Sequence, residues 1–314
     1  MTQRFAKVGL VGAGLVGRGW AIVFARAGRQ VNIFDASENI RHEALGKIKA
    51  NVVEMQSIGL VEHVDEILSN ICVVDTLDAA VADADYIQES VFERVDIKTE
   101  ISADIGALLR KDVIVGSSSS GIPAARFTET IKNRSRFLVV HPVNPPHLIP
   151  LVELVPAPWT DAEIVPLLKA MMEDVGQFPI VVNQEIEGFV LNRLQGALLN
   201  EAWALYSEGV ASLEDIDKTV AYGLGLRWAF MGPFQTIDLN APGGIEDYAR
   251  RLGPLYHSIH QSRRDQGTWS AEAISRAAEE MRQKMKLSEL DKKMEWRDRQ
   301  LMAFASYRKN WPAQ

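Results

Sequence analysis

A glycine-rich turn between a strand pattern and a helix pattern constrains this chain more than any other feature. In KVGLVGAGLVGRGWAIVFARAG, residues 7–28, three glycines stand in G-x-G-x-x-G order. Gly12 would permit the tight turn, Gly14 would let the backbone approach a pyrophosphate, and Gly17 would let the helix pack on the strand. The segment therefore predicts the first βαβ turn of a dinucleotide-binding fold.

The residues around this turn also predict which dinucleotide binds. The helix that begins with Leu15 and Val16 offers N–H groups without acceptors inside the helix, and these groups suit phosphate oxygens. Asp35 closes the next strand pattern, QVNIFD, 18 residues after Gly17. Its carboxylate would accept hydrogen bonds from the adenosine ribose and would repel a 2′-phosphate, and no Lys or Arg directly follows it in FDASEN. We expect NAD as the cofactor, not NADP.

The first half of the chain alternates strand and helix patterns. Further strand patterns are QVNIFD, ICVVD, ADYIQES, DVIVGS, RFLVVH and FPIVVN, with helical stretches between them. Such alternation indicates βαβ units and a parallel sheet. After FPIVVN the pattern is helical almost to the end. We predict an α/β fold, with a Rossmann-type doubly wound sheet in residues 1–184 and an all-α domain in residues 185–314.

Composition and charge exclude several classes of function. The formal charge of -7 argues against a nucleic-acid surface. No apolar stretch approaches the ~20 residues that cross a bilayer, and the N-terminus lacks a secretory pattern. Cys72, which we interpret as a buried core residue, is the single cysteine and suits a reducing compartment. We expect a cytoplasmic protein without a nucleic-acid partner, a membrane partner or a metal site.

A histidine and a glutamate interrupt two otherwise apolar runs in FLVVHPVNPPHLIPLVELV, residues 137–155. His141 and Glu153 lie symmetrically about His147, so a hairpin-like return would place them opposite each other. A buried carboxylate is costly unless it is paired, and His141 is the obvious partner. A carboxylate that orients an imidazole suits a general base in alcohol oxidation. A purely structural pair at a sheet edge remains the alternative.

Four segments together resemble the 3-hydroxyacyl-CoA dehydrogenase superfamily: VGAGLVGRGWA, ADYIQESVFERVDIK, HPVNPPHLIPLVELV and GFVLNRL. The resemblance covers nearly the whole chain. It implies an NAD-dependent dehydrogenase in which His141 is the catalytic base and Glu153 its partner. It also implies that Asn192 hydrogen-bonds the reacting oxygen, with a helix cap as the alternative.

The resemblance implies roles for three further residues. Ser119 in GSSSSGI would contact the substrate hydroxyl, although the family pattern at this point is Asn-Thr-Ser-Ser. Glu93 and Lys98 match residues near the nicotinamide ribose. Taken without the family, the serines would be a plain loop and Glu93 with Lys98 a solvated pair.

Within the superfamily the chain is most similar to the lambda-crystallin branch, whose enzymatic members include L-gulonate 3-dehydrogenase. The matching stretches include EAWALYSEG, GLGLRWAFMGPFQTIDLNAPGG and EWRDRQLM. Residues 50–93 contain ten Asp and Glu and no Lys or Arg, whereas the phosphates of CoA need basic partners. We therefore expect a small 3-hydroxy acid, with L-gulonate as the leading substrate.

Arg227 is the candidate for binding the carboxylate of such an acid, since a guanidinium binds carboxylates bidentately. The neighbouring Trp228 and Phe230 would instead suit a quaternary ammonium group, which keeps L-carnitine as an alternative beside 3-hydroxyacyl-CoA. A crystallin-like structural role is the non-enzymatic alternative.

The resemblance also implies a homodimer formed by the helical domain. Trp203, Leu205 and Tyr206 would offer apolar surface for such an interface.

Overall fold

The computed structural model describes residues 5–264 and 267–309. Their strands form one eight-stranded sheet in the order β3-β2-β1-β4-β5-β6-β7-β8. The strands are β1 Lys7–Val11, β2 Gln30–Phe34, β3 Ile71–Val73, β4 Tyr86–Glu89, β5 Ile114–Ser117, β6 Phe137–Pro142, β7 Leu151–Pro156 and β8 Phe178–Val181. Neighbouring strands are parallel, except that β6 and β7 are antiparallel. The predicted Rossmann-type sheet is confirmed.

Helices flank this sheet. They are α1 Leu15–Arg26, α2 Glu38–Ser57, α3 Val64–Ser69, α4 Leu77–Val81, α5 Val95–Leu108, α6 Ala125–Thr128 and α7 Ile164–Asp174. Eight of the twelve residues of α1 are buried. Among them, Trp20 and Phe24 stack on each other, and Phe24 contacts Tyr86 of β4. Burying aromatic side chains of this size stabilises a fold by roughly 1.5–3 kcal/mol each. The helix that carries the glycine turn is thus held firmly against the sheet.

The second part of the chain is helical. Its helices are α8 Leu191–Ser207, α9 Leu213–Thr219, α10 Gly225–Trp228, α11 Pro233–Leu239, α12 Gly244–Ser262, α13 Ala271–Lys284 and α14 Leu290–Lys309. Tyr206 is buried, with its hydroxyl donating to Glu280 and its ring under the guanidinium of Arg276. This corrects one detail of the sequence analysis, because Tyr206 packs inside the helical part and offers no surface to a second copy.

The chain divides into two compact units. One comprises the described parts of Met1–Arg193 and Lys292–Gln314, and the other comprises the described parts of Leu194–Asp291. Met302 of α14 is buried in the same apolar cluster as Trp20, and Arg299 pairs with Glu54 of α2. The C-terminal helix therefore belongs with the sheet, whereas the sequence pattern grouped it with the other helices. The division at residue 184 remains a proposal for the domain boundary.

One residue lies differently from its sequence-based interpretation. Cys72 is exposed and not part of the core. It is the middle residue of β3, the edge strand of the sheet, where alternate side chains face solvent. No helix in the described parts of the chain is long and apolar enough to cross a membrane.

Candidate active site

The carboxyl ends of the parallel strands bring Gly12, Asp35 and His141, which are predicted site residues, to one edge of the sheet together with Glu89 and Ser117. Gly12 follows β1, Asp35 follows β2 and Glu89 ends β4. Ser117 ends β5, and His141 is the penultimate residue of β6. In open α/β sheets ligands bind along this edge, next to the point where strand order reverses, here between β1 and β4.

The glycine turn has the shape that a dinucleotide requires. Gly12 has φ +105°, and a Cβ there would lie 2.5 Å from the carbonyl oxygen of Ser90. A Cβ on Gly17 would lie 1.8 Å from the carbonyl oxygen of Gly12, so helix and turn meet without side chains between them. A Cβ on Gly14 would meet nothing within 4 Å, and no side chain caps α1 at this residue. Open space and unpaired N–H groups therefore coincide where a pyrophosphate would bind.

Asp35 is fixed beside this turn. Its Oδ2 accepts a hydrogen bond from the N–H of Ala13 at 2.8 Å, and its Oδ1 accepts one from the N–H of Ser37 at 2.9 Å. Arg41 donates to the backbone carbonyl of Asp35 at 2.7 Å. Each carboxylate oxygen retains a lone pair, so Asp35 can also accept the hydroxyls of a ribose.

His141 and Glu153 form the predicted cross-strand pair. They are register partners in the antiparallel β6–β7 ladder, and Nδ1 of His141 lies 2.7 Å from Oε2 of Glu153. His141 is 5% exposed and Glu153 is 0% exposed. Oε1 of Glu153 accepts the N–H groups of Val190 at 2.9 Å and Leu191 at 3.0 Å. The carboxylate thus binds an imidazole on one side and the beginning of α8 on the other.

These contacts determine the proton positions in the pair. Burial alone would raise the pKa of Glu153, but the hydrogen bonds from His141, Leu191 and Val190 outweigh it and hold the pKa below its ordinary value. An ionised Glu153 can only accept hydrogen bonds, so His141 donates its Nδ1–H. In neutral His141, Nε2 then carries the free lone pair and can accept a proton.

The helix cap provided by Glu153 was missed by sequence reasoning. α8 begins shortly after two residues with left-handed backbone, Gly188 at φ +76° and Phe189 at φ +50°. Phe189 is fully buried, with its ring centre 5.8 Å from that of His141. Positive φ at a bulky residue costs about 1–3 kcal/mol, so the surrounding contacts must hold it. The only sequence signal was a Gly-Phe pair directly before a helical pattern.

Asn192 meets the serine loop, residues 117–120. Its side-chain amide donates to the carbonyl of Ser120. Ser119 is fully buried, and its hydroxyl contacts the carboxylate of Glu93 at 2.8 Å and the carbonyl of Ile122 at 2.7 Å. No hydrogen bond joins Ser119 to His141 within the described chain. The contact of Ser119 with a substrate hydroxyl therefore stays a prediction.

Lys98 and Glu93 lie together but are not a solvated pair. Nζ of Lys98 lies 3.5 Å from Oε2 of Glu93 and 3.1 Å from each carboxylate oxygen of Glu89. Burial would raise the pKa of Glu93, but Lys98, Ser119 and backbone N–H groups of the serine loop lower it overall. Sequence reasoning missed Glu89, whose signal was a charged residue at the end of a buried strand.

Arg227 is exposed on α10, in the helical unit. A π-helical segment, Val220–Leu224, directly precedes this helix, and such segments are frequent at functional sites. A cavity of about 660 Å³ elsewhere in this unit is lined by residues that include Trp203, Trp269 and Arg263, and by none of the predicted site residues.

Comparison with known proteins agrees with this geometry. Residues 7–186 match the NAD-binding domain of 3-hydroxyacyl-CoA dehydrogenase, and residues 188–293 match its C-terminal domain. A 3-hydroxyacyl-CoA dehydrogenase of Gibberella moniliformis is 37% identical over 303 residues, 95% of this chain and 93% of that protein. Lambda-crystallin of Oryctolagus cuniculus is 36% identical over 310 residues, 97% of both chains.

Two further relatives bear on substrate and fold. L-Carnitine dehydrogenase of Oceanobacillus iheyensis is 36% identical over 249 residues, 79% of this chain and 80% of that protein. Among solved structures, an NAD⁺-dependent dismutase, 5-formyl-3-hydroxy-2-methylpyridine 4-carboxylic acid 5-dehydrogenase, superposes with a TM-score of 0.73 at 27% identity. That match covers 91% of this chain and 98% of the other.

Proposed function

The chain belongs to the 3-hydroxyacyl-CoA dehydrogenase family, and from this premise we propose that it oxidises the 3-hydroxyl of a small hydroxy acid, L-gulonate, to 3-dehydro-L-gulonate. It is an NAD-dependent oxidoreductase. The observation that carries the proposal is the buried His141–Glu153 pair at the nucleotide-binding edge of the sheet.

The residues of the chain divide the work of alcohol oxidation. Bound NAD supplies the hydride acceptor. His141 takes the hydroxyl proton at Nε2, because its Nδ1–H is donated to Glu153. The imidazolium that results lies against the carboxylate of Glu153, which stabilises the new charge. Positioned base catalysis of this kind contributes roughly 10²–10⁴-fold. Asn192 would hydrogen-bond the reacting oxygen.

Cofactor contacts follow from the turn and the strand ends. Gly12, Gly14 and the N-terminus of α1, which includes Leu15, Val16 and Gly17, would hold the pyrophosphate. Asp35 would bind the adenosine ribose, and Glu93 with Lys98 would shape the site of the nicotinamide ribose.

Charge near α2 and α3 supports a small substrate over an acyl-CoA. A cavity of about 510 Å³ there is lined by Lys49 but also by Glu62, Asp65 and Glu66. A multiply charged anion such as CoA would meet more negative than positive groups in this cavity. Arg227 is our candidate for binding the carboxylate of the substrate, because a guanidinium can bind a carboxylate bidentately. Among the described residues, Arg227 forms no ion pair that would compete with a substrate.

L-Carnitine is the second candidate substrate. Two L-carnitine dehydrogenases are 36% and 37% identical to this chain. Trp228 and Phe230 are exposed beside Arg227, and aromatic faces of this kind attract quaternary ammonium groups.

A homodimer also forms part of the proposal, since Tyr222, Phe234 and Leu239 leave large apolar side chains exposed on the helical unit.

NADH formation by the purified protein tests the proposal. The substrates are L-gulonate, L-carnitine, 3-hydroxybutyrate and 3-hydroxybutyryl-CoA, each with NAD. The proposal expects the highest kcat/KM with L-gulonate. A higher value with L-carnitine would favour the second candidate, and activity with the CoA thioester alone would overturn the proposed substrate class.

A further inference from the structure

Glu89 and Lys98 form a buried ion pair at the carboxyl end of β4. Both side chains are 1% exposed, and Nζ of Lys98 lies 3.1 Å from each carboxylate oxygen of Glu89. Glu89 accepts two more hydrogen bonds, from the hydroxyl of Ser117 and from the N–H of Val91 at 2.6 Å. Four donor contacts therefore fix this carboxylate at the end of the central strand.

The burial of Lys98 limits what it can do. Its ammonium group is 1% exposed and lies between two carboxylates, which hold it in place. Its second partner, Oε2 of Glu93 at 3.5 Å, belongs to a side chain that is 38% exposed. Glu89, Lys98 and Glu93 therefore form a row of three charged side chains, and Glu93 is its exposed end.

Glu93 in turn holds the serine loop. Its Oε1 contacts the hydroxyl of Ser119 at 2.8 Å and the backbone N–H groups of Ser120 at 2.8 Å and Gly121 at 3.1 Å. The carbonyl of Ser120 accepts the amide of Asn192. The carboxylate of Glu93 thus connects the end of β4 to the loop after β5. Through that loop it is also linked to Asn192, which is predicted to bind the substrate.

We propose that Glu89 is a positioning residue of the dehydrogenase, which fixes Glu93 through Lys98 and thereby holds the serine loop in its active arrangement. This inference rests on the proposed function and adds a residue with no direct ligand contact. Lys98 needs a buried countercharge, because an ammonium group out of water without one is strongly disfavoured. Without Glu89, Lys98 would turn towards solvent, and Glu93 would lose the cation that fixes it.

Two variants separate positioning from plain stability. Glu89→Gln leaves Lys98 without its main countercharge, whereas Glu89→Gln with Lys98→Met removes both buried charges at similar volume. Replacing a whole buried pair is often neutral for stability, whereas breaking one is not. The control is Asp161→Asn, which removes one of the two ion pairs of the buried Arg136, directly before β6. Asp161 lies 3.4 Å from Arg136, and its side chain is 46% exposed.

The expected results differ for the two variants. Glu89→Gln should lower Tm by about 10 °C and kcat/KM by about 100-fold. The double variant should regain most of the Tm, and its kcat/KM should match that of Lys98→Met alone, because Glu89 acts only through Lys98. Asp161→Asn should change Tm only slightly, because Glu163 still pairs with Arg136, and should leave kcat/KM unchanged.

Wild-type kcat/KM in Glu89→Gln below its Tm would overturn the inference, since Glu89 would then be only structural. A double variant clearly less active than Lys98→Met alone would also overturn it, since Glu89 would then act by a route other than Lys98. NADH affinity, followed by tryptophan fluorescence, separates this failure from failure of the proposed function. If wild type oxidises no hydroxy acid, the proposed function fails. The inference is then tested by NADH affinity alone, which should be weakened in Glu89→Gln and unchanged in Asp161→Asn.

Discussion

Replacing Glu153 by glutamine tests how one carboxylate serves two partners. In the native protein Oε2 accepts the Nδ1–H of His141, and Oε1 accepts two backbone N–H groups at the start of α8. Glutamine has one acceptor oxygen and one NH₂ donor. The oxygen will face the two N–H groups, since the NH₂ group cannot satisfy two donors. The NH₂ group then faces His141 and forces Nδ1 to become the acceptor.

This change removes the base without removing the fold. With Nδ1 as acceptor, Nε2 of His141 carries the proton and cannot take one from a hydroxyl. We expect kcat to fall by about 10³–10⁴-fold, the size known for a wrong imidazole tautomer. Hydrogen bonds to a charged group are worth roughly 1.5–3 kcal/mol, against 0.5–1.5 for neutral ones, so stability should fall by only about 1–2 kcal/mol.

The assay is steady-state NADH formation, together with urea unfolding and NADH binding. Glu185→Gln is the matched control, because Glu185 is a half-buried carboxylate that accepts the N–H of Ala125 and has no catalytic role in this account. It should retain activity within about twofold, because the substitution lies away from the reacting groups and leaves them in place. A Glu153→Gln enzyme with kcat within about threefold of wild type would refute the tautomer argument.

Three further predictions address cofactor, pH and substrate. Asp35→Ala should reduce the preference for NAD over NADP by about 10–100-fold in kcat/KM, because the repelling carboxylate is gone while Arg41 remains nearby. If wild type already prefers NADP, the role of Asp35 is wrong. His147 has a pKa lowered to about 4 by burial and by Arg26, so folding should weaken by about 3 kcal/mol as the pH falls from about 6.5 to 4. In urea unfolding, the free energy of unfolding of His147→Asn should depend less on pH than that of wild type. An unchanged pH dependence would contradict this role of His147. Arg227→Met should raise the KM for L-gulonate at least tenfold with little change in kcat, as loss of a charged hydrogen bond implies. An unchanged KM would remove Arg227 as the carboxylate ligand.

Local rules were enough to predict the parts of the structure that neighbouring residues specify. The glycine turn followed from three residues and the backbone geometry they allow. The His141–Glu153 register followed from the spacing of two strands around one loop, because side chains alternate with a period of two. In both cases the residues that lie close together in space are also close together in the sequence.

Long-range packing explains what the sequence pattern did not show. α14 belongs with the sheet because Met302 and Arg299 meet residues more than two hundred positions earlier. Cys72 is exposed because β3 is an edge strand, and strand order is a property of the whole sheet. Glu89 was missed because its role depends on an ion pair with Lys98, whose side chain extends from α5 into the interior.

The most direct test of the account compares turnover and cofactor binding in His141→Ala. His141 provides the proton acceptor, whereas the glycine turn and Asp35 provide the cofactor contacts. We expect turnover to fall by at least about 10³-fold while the Kd for NADH stays within about twofold of wild type. Turnover close to wild type would show that another group accepts the proton, and would contradict the central claim.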